Sequence, residues 1–367
     1  MWNHSCAPSQ YFLIRLTQLA VGRTEPPKRP LGMVPRGSSE PQTLVSDFIV
    51  RCTNVAKLRY ALEHPEKCRN STVNMKSESG ARQLAEMLMD ADRRGHYTHG
   101  IVRLENYLLE LISGVNDGMV PKVIKQKGGT AHVDGANCLG AVVGNFCAQL
   151  AIDLARKNGI AWVTARDSNH FGICAYYTLK IMRAGFIIEN SLKQNNGVIP
   201  PHWAADENGG ITTSAQVALE RGGLLPLGAT GGAKNLVNEN EDQNKNTKTY
   251  YPKDVSYKGS GLAMMIELFT SVLAGSPIGA CVRMWRDFSG NDNADLGQTF
   301  VALDPDCFAE KFPERLQSFL DEIHNLPRID SEVPVRVPGD LEREHSARCD
   351  TVGGLIYNTI IIDQMVG

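Results

Sequence analysis

The sequence predicts an α/β fold, and three observations support that class. An apolar run typical of a buried strand, "IAWVTA", lies between two segments with helical spacing, and a second strand-like run, "FIIEN", follows them. The chain has 367 residues, of which 42% are hydrophobic and 21% charged, enough for the core of a large globular domain. An intact G-x-G-x-x-G fingerprint is absent, so the sequence does not predict a Rossmann dinucleotide site.

Two helices with a short junction between them are predicted first. Apolar residues from Ala81 to Met89 recur at helical spacing, and Gly95 ends this run. A second run with the same spacing starts at Ile101 and reaches Ile112. The sequence therefore predicts that "GHYTHG" is a helix–helix junction and that the second helix begins near His99.

The middle of the chain predicts a strand, a helix, a second strand and a second helix, in that order. "TAHVDG" has the pattern of a short strand ending in a turn, and helical spacing follows from Leu139 to Leu154, with Gly159 as the cap. The strand "IAWVTA" comes next. Residues 166–172, "RDSNHFG", are then predicted to form a turn before a helix over "ICAYYTLKIMRAG" that ends at Gly185.

The remaining part predicts a polar loop and two more helices. Residues 229–256 are polar in composition and are predicted to be a loop inserted at the surface. Helical spacing returns from Leu262 to Leu273 and again from Phe308 to Ile323.

Charge and cysteine content exclude several classes of function. The net charge of −2 provides no basic field for nonspecific binding to nucleic acid, and the apolar patch interrupted by Arg15 is too short to span a membrane. The nine cysteines are an odd number without C-x-x-C spacing, which indicates reduced thiols in a cytoplasmic protein. We therefore expect a small-molecule ligand rather than nucleic acid or membrane.

Residues 1–44 are predicted to be a disordered N-terminal extension ahead of a single domain over residues 45–367. Up to Arg36 this stretch contains five basic residues and one acidic residue, Glu25. A basic, acid-poor beginning is also typical of an organelle transit segment. A mitochondrial location stays open as the alternative to a cytoplasmic one.

His99 and Arg103 are the first candidate site residues. They stand four residues apart, so both would share one face of a helix that begins near His99. The arginine could hold a carboxylate while the histidine moves a proton near neutral pH. The alternative is a helix-capping histidine beside a solvated arginine.

His170, within "SNHFG", is the second candidate. It follows a strand and precedes a helix, a position where α/β proteins present functional groups, and it could act as a general base. An ordinary polar turn is the alternative. A metal site at His96 and His99 is not expected, because a third ligand at suitable spacing is missing from the nearby sequence.

Lys258 and Gly259 open the helix at "YKGSGLAMM". A lysine at a helix N-terminus is unfavourable unless an anion lies between the lysine and the positive end of the helix dipole. Glycine at this position lets the backbone approach a phosphate closely. Met264 occupies the place of the third glycine in a dinucleotide fingerprint, so this segment predicts at most a non-Rossmann phosphate contact.

Eight stretches resemble, in their order, those of the second type of malate/L-lactate/L-sulfolactate dehydrogenases, whose relatives include ureidoglycolate dehydrogenase and a cyclic-imine reductase. They span most of residues 81–345 and read "ADRRGHYTHGIVRLENYL", "DGANCLGAVVGNFCAQLAI", "NGIAWVTARDSNHFG", "YYTLKIMRAGFI", "HWAADENGGITTSAQVALERGGLLPLG", "KGSGLAMMIELFTSVLAG", "ADLGQTFVALDPDCF" and "VPGDLERE".

The resemblance implies an NAD(P)-dependent oxidoreductase that interconverts a small 2-hydroxy acid, of malate or lactate type, and its 2-oxo acid. It also implies a homodimer with a non-Rossmann, largely antiparallel sheet flanked by helices, a malate/L-sulfolactate dehydrogenase-like fold. Of the histidines, both His170 and His99 are implied to be catalytic, with His170 as the proton acceptor. The other implied contacts are Arg103 and Thr98 for the substrate carboxylate, and Asn169, Gly172, Lys258 and Gly259 for NAD or NADP.

The chain departs from the family pattern most strongly after "RAGFI". "IENSLKQNNGV" leads directly to "IPPHWAAD", which predicts a missing central segment near residues 190–200. Smaller departures are Thr98 in place of Ser, Ser260 in place of Tyr and Asp295 in place of Asn. Two hypotheses therefore stand, an active dehydrogenase and a catalytically impaired family member or splice variant that acts as a binding or dimerising module.

Overall fold

A computed structural model describes residues 11–13, 78–116, 119–192, 204–205, 223–224, 256–283 and 293–358. The predicted N-terminal extension, apart from residues 11–13, lies outside the described residues. The same holds for most of the predicted deletion point near residues 190–200 and for nearly all of the polar loop over residues 229–256.

The centre of the fold is a five-stranded sheet of mixed direction. Its strands are β2 (Lys122–Lys127), β3 (Thr130–Asp134), β4 (Ile160–Ser168), β5 (Ile187–Leu192) and β8 (Leu296–Leu303), in the spatial order β2-β3-β4-β8-β5. Strands β3 and β4 pair in parallel, and the other three pairs within this sheet are antiparallel. The predicted largely antiparallel, non-Rossmann α/β sheet is thereby confirmed.

The remaining described strands form two small antiparallel pairs. One pair joins β1 (Tyr11–Leu13) to β9 (Ile356–Asn358), and the other joins β6 (Ala204–Ala205) to β7 (Gly223–Leu224). The described helices are α1 (Glu78–Arg93), α2 (Leu104–Ser113), α3 (Gly140–Asn158), α4 (Cys174–Arg183), α5 (Ser256–Glu267), α6 (Phe312–His324) and α7 (Asp340–Val352). No helix within these ranges is long and apolar enough to cross a bilayer.

The two faces of the sheet pack against different helices because side chains alternate along β4. Ala161, Val163 and Ala165 are fully buried and belong to the core that α3 and α4 cover. Trp162, on the opposite face, packs edge-on against Phe269, with ring centroids 4.5 Å apart. Phe269 lies in a π-helical turn, Leu268–Val272, that continues α5. The predicted helix from Leu262 therefore covers the second face.

Four predicted boundaries are wrong by two to five residues. Helix α2 begins at Leu104 rather than near His99, and α6 begins at Phe312 rather than Phe308. Strand β4 continues to Ser168, and β5 continues to Leu192. Strand β4 has a bulge between Ala165 and Ser168, and Asp167 within it has a φ of +49°. The bulge lets β4 resume pairing with β8 at Ser168, although the polar sequence there predicts a turn.

Candidate functional site

The junction between α1 and α2 carries the first candidate residues. It consists of two 3-10 turns, Tyr97–His99 and Ile101–Arg103, separated by Gly100. The premise that His99 and Arg103 share one face of a continuous helix is therefore wrong. Both are nevertheless tied to Thr98, because Thr98 Oγ1 lies 2.9 Å from His99 Nδ1 and Arg103 Nε donates to the Thr98 carbonyl at 2.5 Å.

A buried carboxylate from α1 anchors this junction. Asp92 Oδ2 accepts hydrogen bonds from the Ile101 amide at 2.9 Å and from the Tyr357 hydroxyl at 2.7 Å. Burial raises the pKa of Asp92 from 3.8 to about 7, although both hydrogen bonds favour its charged form and oppose that shift. The carboxylate packs directly against Gly100, where a Cβ would overlap it. Glycine is therefore required between the two turns.

The loop after β4 carries the second candidate residues, Asn169 to Ile173. Asn169 is buried and donates to Asn137 Oδ1 at 3.0 Å and to the Cys138 carbonyl at 2.9 Å. Gln298 of β8 reaches Ser168 Oγ at 2.6 Å, which holds the end of β4. Gly140 begins α3 directly beneath the loop, where a Cβ would overlap the Asn169 and His170 carbonyls. The loop is therefore a packed part of the fold.

His170 lies at the centre of the site and is almost fully buried. Its Nδ1 is 2.6 Å from the Tyr107 hydroxyl and accepts the Gly172 amide at 3.2 Å. The His99 ring stacks on it with centroids 6.1 Å apart and planes 20° from parallel. The fold thus brings together two histidines that are 71 positions apart in the sequence.

Charges around Tyr107 set the electrostatics beneath the histidines. Burial raises the pKa of Tyr107 well above its usual value, the nearby negative charge of Glu110 raises it further, and Arg103 opposes both effects. Glu110 is itself buried, and Arg283 Nη2 lies 3.9 Å from its Oε1. Tyr107 therefore keeps its proton at neutral pH, and the Arg103 charge lies close enough to act on this hydroxyl.

The predicted cofactor residues divide into two groups. Asn169 and Gly172 belong to the His170 loop, and Gly172 has φ +81° with Met87 where a Cβ would stand. Lys258 and the buried Gly259 lie in the first turn of α5. Phe269 lies ten positions after Gly259, which corresponds to about 15 Å along a helix. The described contacts join the first group to the histidines, whereas the second group lies at the far end of α5.

A metal centre finds no support among the side chains that the structure describes. His96 Nε2 faces Glu342 of α7 at 3.3 Å, whereas His99 faces His170, so the two rings diverge. Within the described ranges there is no group of three or more His, Cys, Asp or Glu side chains that could hold a metal ion.

Sequence reasoning missed three residues that shape the site: Tyr107, Asp92 and Gln298. Each stands within a stretch that carries the family resemblance, but residue type alone did not single it out. Tyr107 is one helical turn after Arg103, and that spacing was an available signal. Asp92 and Gln298 gave no comparable signal, because their roles depend on burial and on partners distant in sequence.

Comparison with known proteins identifies the family of this chain. The profile of the malate/L-lactate dehydrogenase family matches residues 73–191 and 188–365. Malate dehydrogenase of Pyrococcus abyssi is 27% identical over 300 residues, which cover 68% of this chain and 76% of that protein. L-sulfolactate dehydrogenase of Methanocaldococcus jannaschii is 26% identical over 323 residues, with 74% and 85% covered.

The fold is similar to that of solved structures. Malate dehydrogenase from Pyrococcus horikoshii superimposes with a TM-score of 0.67 at 23% sequence identity, covering 88% of this chain and 92% of that one. At this identity the similarity concerns the fold.

Proposed function

Because the chain belongs to the malate/L-lactate dehydrogenase family, we propose that it is an oxidoreductase that interconverts a small 2-hydroxy acid and its 2-oxo acid with NAD or NADP. One observation carries this proposal: the stacked His99 and His170 rings lie at the site that also holds the Arg103 guanidinium. Titratable rings beside a fixed positive charge match the needs of an anionic substrate that gains or loses a proton. Malate and lactate are the substrate types that we propose.

Arg103 is the proposed carboxylate-binding residue. The Nε–H of Arg103 donates to the Thr98 carbonyl oxygen. The Nη donors of the same guanidinium form a fork that suits a bidentate carboxylate. Thr98 fixes Arg103 and His99 at once, so it sets the distance between the carboxylate and the proton-transfer group. This geometry aligns C2 of the substrate near the histidines.

Proton transfer is the second task of the site. In the oxidation direction the C2 hydroxyl loses its proton to one of the two histidines, and the family resemblance assigns that role to His170. The nicotinamide, when bound, accepts the C2 hydrogen with its electron pair. Burial of His170 keeps water away from the reacting atoms.

The residues of the His170 loop fit a nicotinamide group. Asn169 Oδ1 is buried and makes no hydrogen bond within the described part of the chain, which leaves an acceptor for a carboxamide N–H. Asn169 and Gly172 would hold the nicotinamide end, and the first turn of α5, with Lys258 and Gly259, would hold a phosphate. NAD and NADP are both compatible with this proposal.

A homodimer is proposed as the working form. The stretch from α5 through the turn after it exposes a row of large apolar side chains, which is typical of a surface that another chain covers. They are Leu262, Met264, Leu268, Val272, Leu273 and Ile278. Light scattering of the purified chain is expected to give about twice the 40.2 kDa of one subunit. A cytoplasmic location is proposed from the cysteine content, with a mitochondrial one as the alternative.

A catalytically impaired family member, acting as a binding or dimerising module, is the second candidate function. The family profile matches in two ranges that meet at residues 188–191, the region where the sequence predicts a missing segment. Strand β5 ends at Leu192 and is the outermost strand of the described sheet. A segment lost after it would take away strands that could pair with this edge.

Cofactor binding separates these two functions. The purified 367-residue chain is titrated with NADH and NADPH while fluorescence is recorded, and His170→Asn is the matched variant. An active dehydrogenase binds one dinucleotide saturably, and the variant keeps this binding but loses about 100-fold or more of the turnover of oxaloacetate or pyruvate. A folded chain that binds neither dinucleotide would refute the dehydrogenase proposal and support the impaired member.

A further inference from the structure

The hydrogen bonds around His170 determine which ring nitrogen carries its proton. Nδ1 accepts the peptide N–H of Gly172 at 3.2 Å. A peptide N–H can only donate, so Nδ1 carries no proton in this arrangement. A neutral imidazole holds one proton, which therefore resides on Nε2.

Tyr107 strengthens this assignment. Its hydroxyl oxygen lies 2.6 Å from the same nitrogen, and its raised pKa keeps the hydroxyl protonated. With the Gly172 amide already donating to Nδ1, the tyrosine hydroxyl is the donor of this second hydrogen bond. Two donors on one nitrogen stabilise the unprotonated form of Nδ1 and disfavour the imidazolium, which needs Nδ1 to donate.

We infer that Tyr107 is a positioning residue that, together with the Gly172 amide, keeps neutral His170 in its Nε2–H tautomer, so that the ring donates a hydrogen bond to the substrate C2 oxygen. This inference rests on the proposed function for its substrate, but the tautomer itself belongs to the free protein. His170 then polarises the carbonyl in the reduction direction and stabilises the developing alkoxide.

The proton of the C2 hydroxyl then goes to the other ring. His99 stacks on His170, and its Nδ1 contacts the Thr98 hydroxyl, which can donate to or accept from an imidazole nitrogen. A change of protonation at His99 therefore costs no hydrogen bond to Thr98. In oxidation the O–H bond would break and its proton would pass to His99, while a bound nicotinamide would supply the acceptor for the C2 hydrogen and its electron pair. This assignment differs from the one that the family resemblance implies.

Imidazole nitrogen NMR tests the inference without a substrate. The chain is labelled with ¹⁵N in its histidine rings, and His170→Gln identifies the His170 signals. We expect an unprotonated Nδ1 and a protonated Nε2 from about pH 6 to about pH 8. A proton on Nδ1 in the unaltered chain would overturn the inference, whatever the variants do.

Tyr107→Phe and Tyr177→Phe form a matched pair for the second measurement. Both tyrosines are fully buried, but the Tyr177 hydroxyl donates to the Phe171 carbonyl rather than to His170. Loss of the Tyr107 donor should raise the pH of half-protonation of His170 by about one unit, whereas Tyr177→Phe should leave it within about 0.2 units.

Equal shifts in the two variants would show a structural effect and overturn the role of Tyr107. A failure of dinucleotide binding, by contrast, refutes the proposed function while leaving the tautomer measurement intact. The two failures are therefore distinguishable.

Discussion

Asp92→Asn should remove a large part of the pH dependence of stability. The pKa of Asp92 is about 7 in the folded chain and 3.8 as an ordinary aspartate, so folding favours the protonated acid. The stability that the protonated Asp92 contributes is complete below about pH 4. It is lost as the pH rises to about 7, where Asp92 ionises and the folded chain must bury a charge. The pKa difference corresponds to about 4 kcal/mol over that window, or at most about 1.4 kcal/mol per pH unit.

Asparagine is a close replacement because of how Asp92 is held. One oxygen, Oδ2, accepts both the Ile101 amide and the Tyr357 hydroxyl, and the amide oxygen of asparagine can take that place. The other oxygen, Oδ1, is buried without a hydrogen bond among the described residues, and there the amide nitrogen would stand in for the protonated oxygen. The variant is therefore neutral at every pH and keeps both anchoring bonds to the junction.

Chemical denaturation at intervals between about pH 4.5 and about pH 8 measures the effect. The unaltered chain should lose stability as the pH rises relative to Asp92→Asn, and the variant should be the more stable of the two at pH 8. The difference between the two curves is the quantity compared. Parallel curves across this range would refute the reasoning.

Three further predictions have defined outcomes. Gly172→Ala should lower the free energy of unfolding by about 2 to 4 kcal/mol, because φ is +81° and a Cβ would overlap a buried methionine. Gly185→Ala is the control: its φ is +96° but its surroundings are open, so it should cost only about 1 kcal/mol. Equal losses for the two variants in urea denaturation would contradict this account. Arg103→Lys should raise KM for the 2-oxo acid about tenfold or more with NADH affinity unchanged, and steady-state kinetics showing an unaltered KM would exclude its carboxylate role. Tyr177→Phe should cost about 1 to 2 kcal/mol because the Phe171 carbonyl loses its donor, and calorimetry showing no loss would mean that this bond contributes nothing.

The order of the secondary structure elements could be predicted because periodicity is a local property. Helix α3 and the strand "IAWVTA" follow from residue spacing and composition, and the caps at Gly159 and Gly185 follow from the need for a positive φ. Strand pairing could not be predicted from local spacing, because β4 pairs with both β3 and β8, and β8 begins 128 positions after β4 ends. The antiparallel character of the sheet came from the family resemblance.

The sequence by itself singled out the side chains that we propose carry the chemistry: His99, Arg103 and His170, whose charge and proton affinity suit the proposed 2-hydroxy acid. Only the tertiary structure decided their geometry, by splitting the junction into two 3-10 turns and by seating Tyr107 against His170 Nδ1. The physical reason is that residue type sets a group's intrinsic proton affinity, whereas burial and hydrogen-bond partners, which come from distant parts of the chain, set its protonation state in the folded protein.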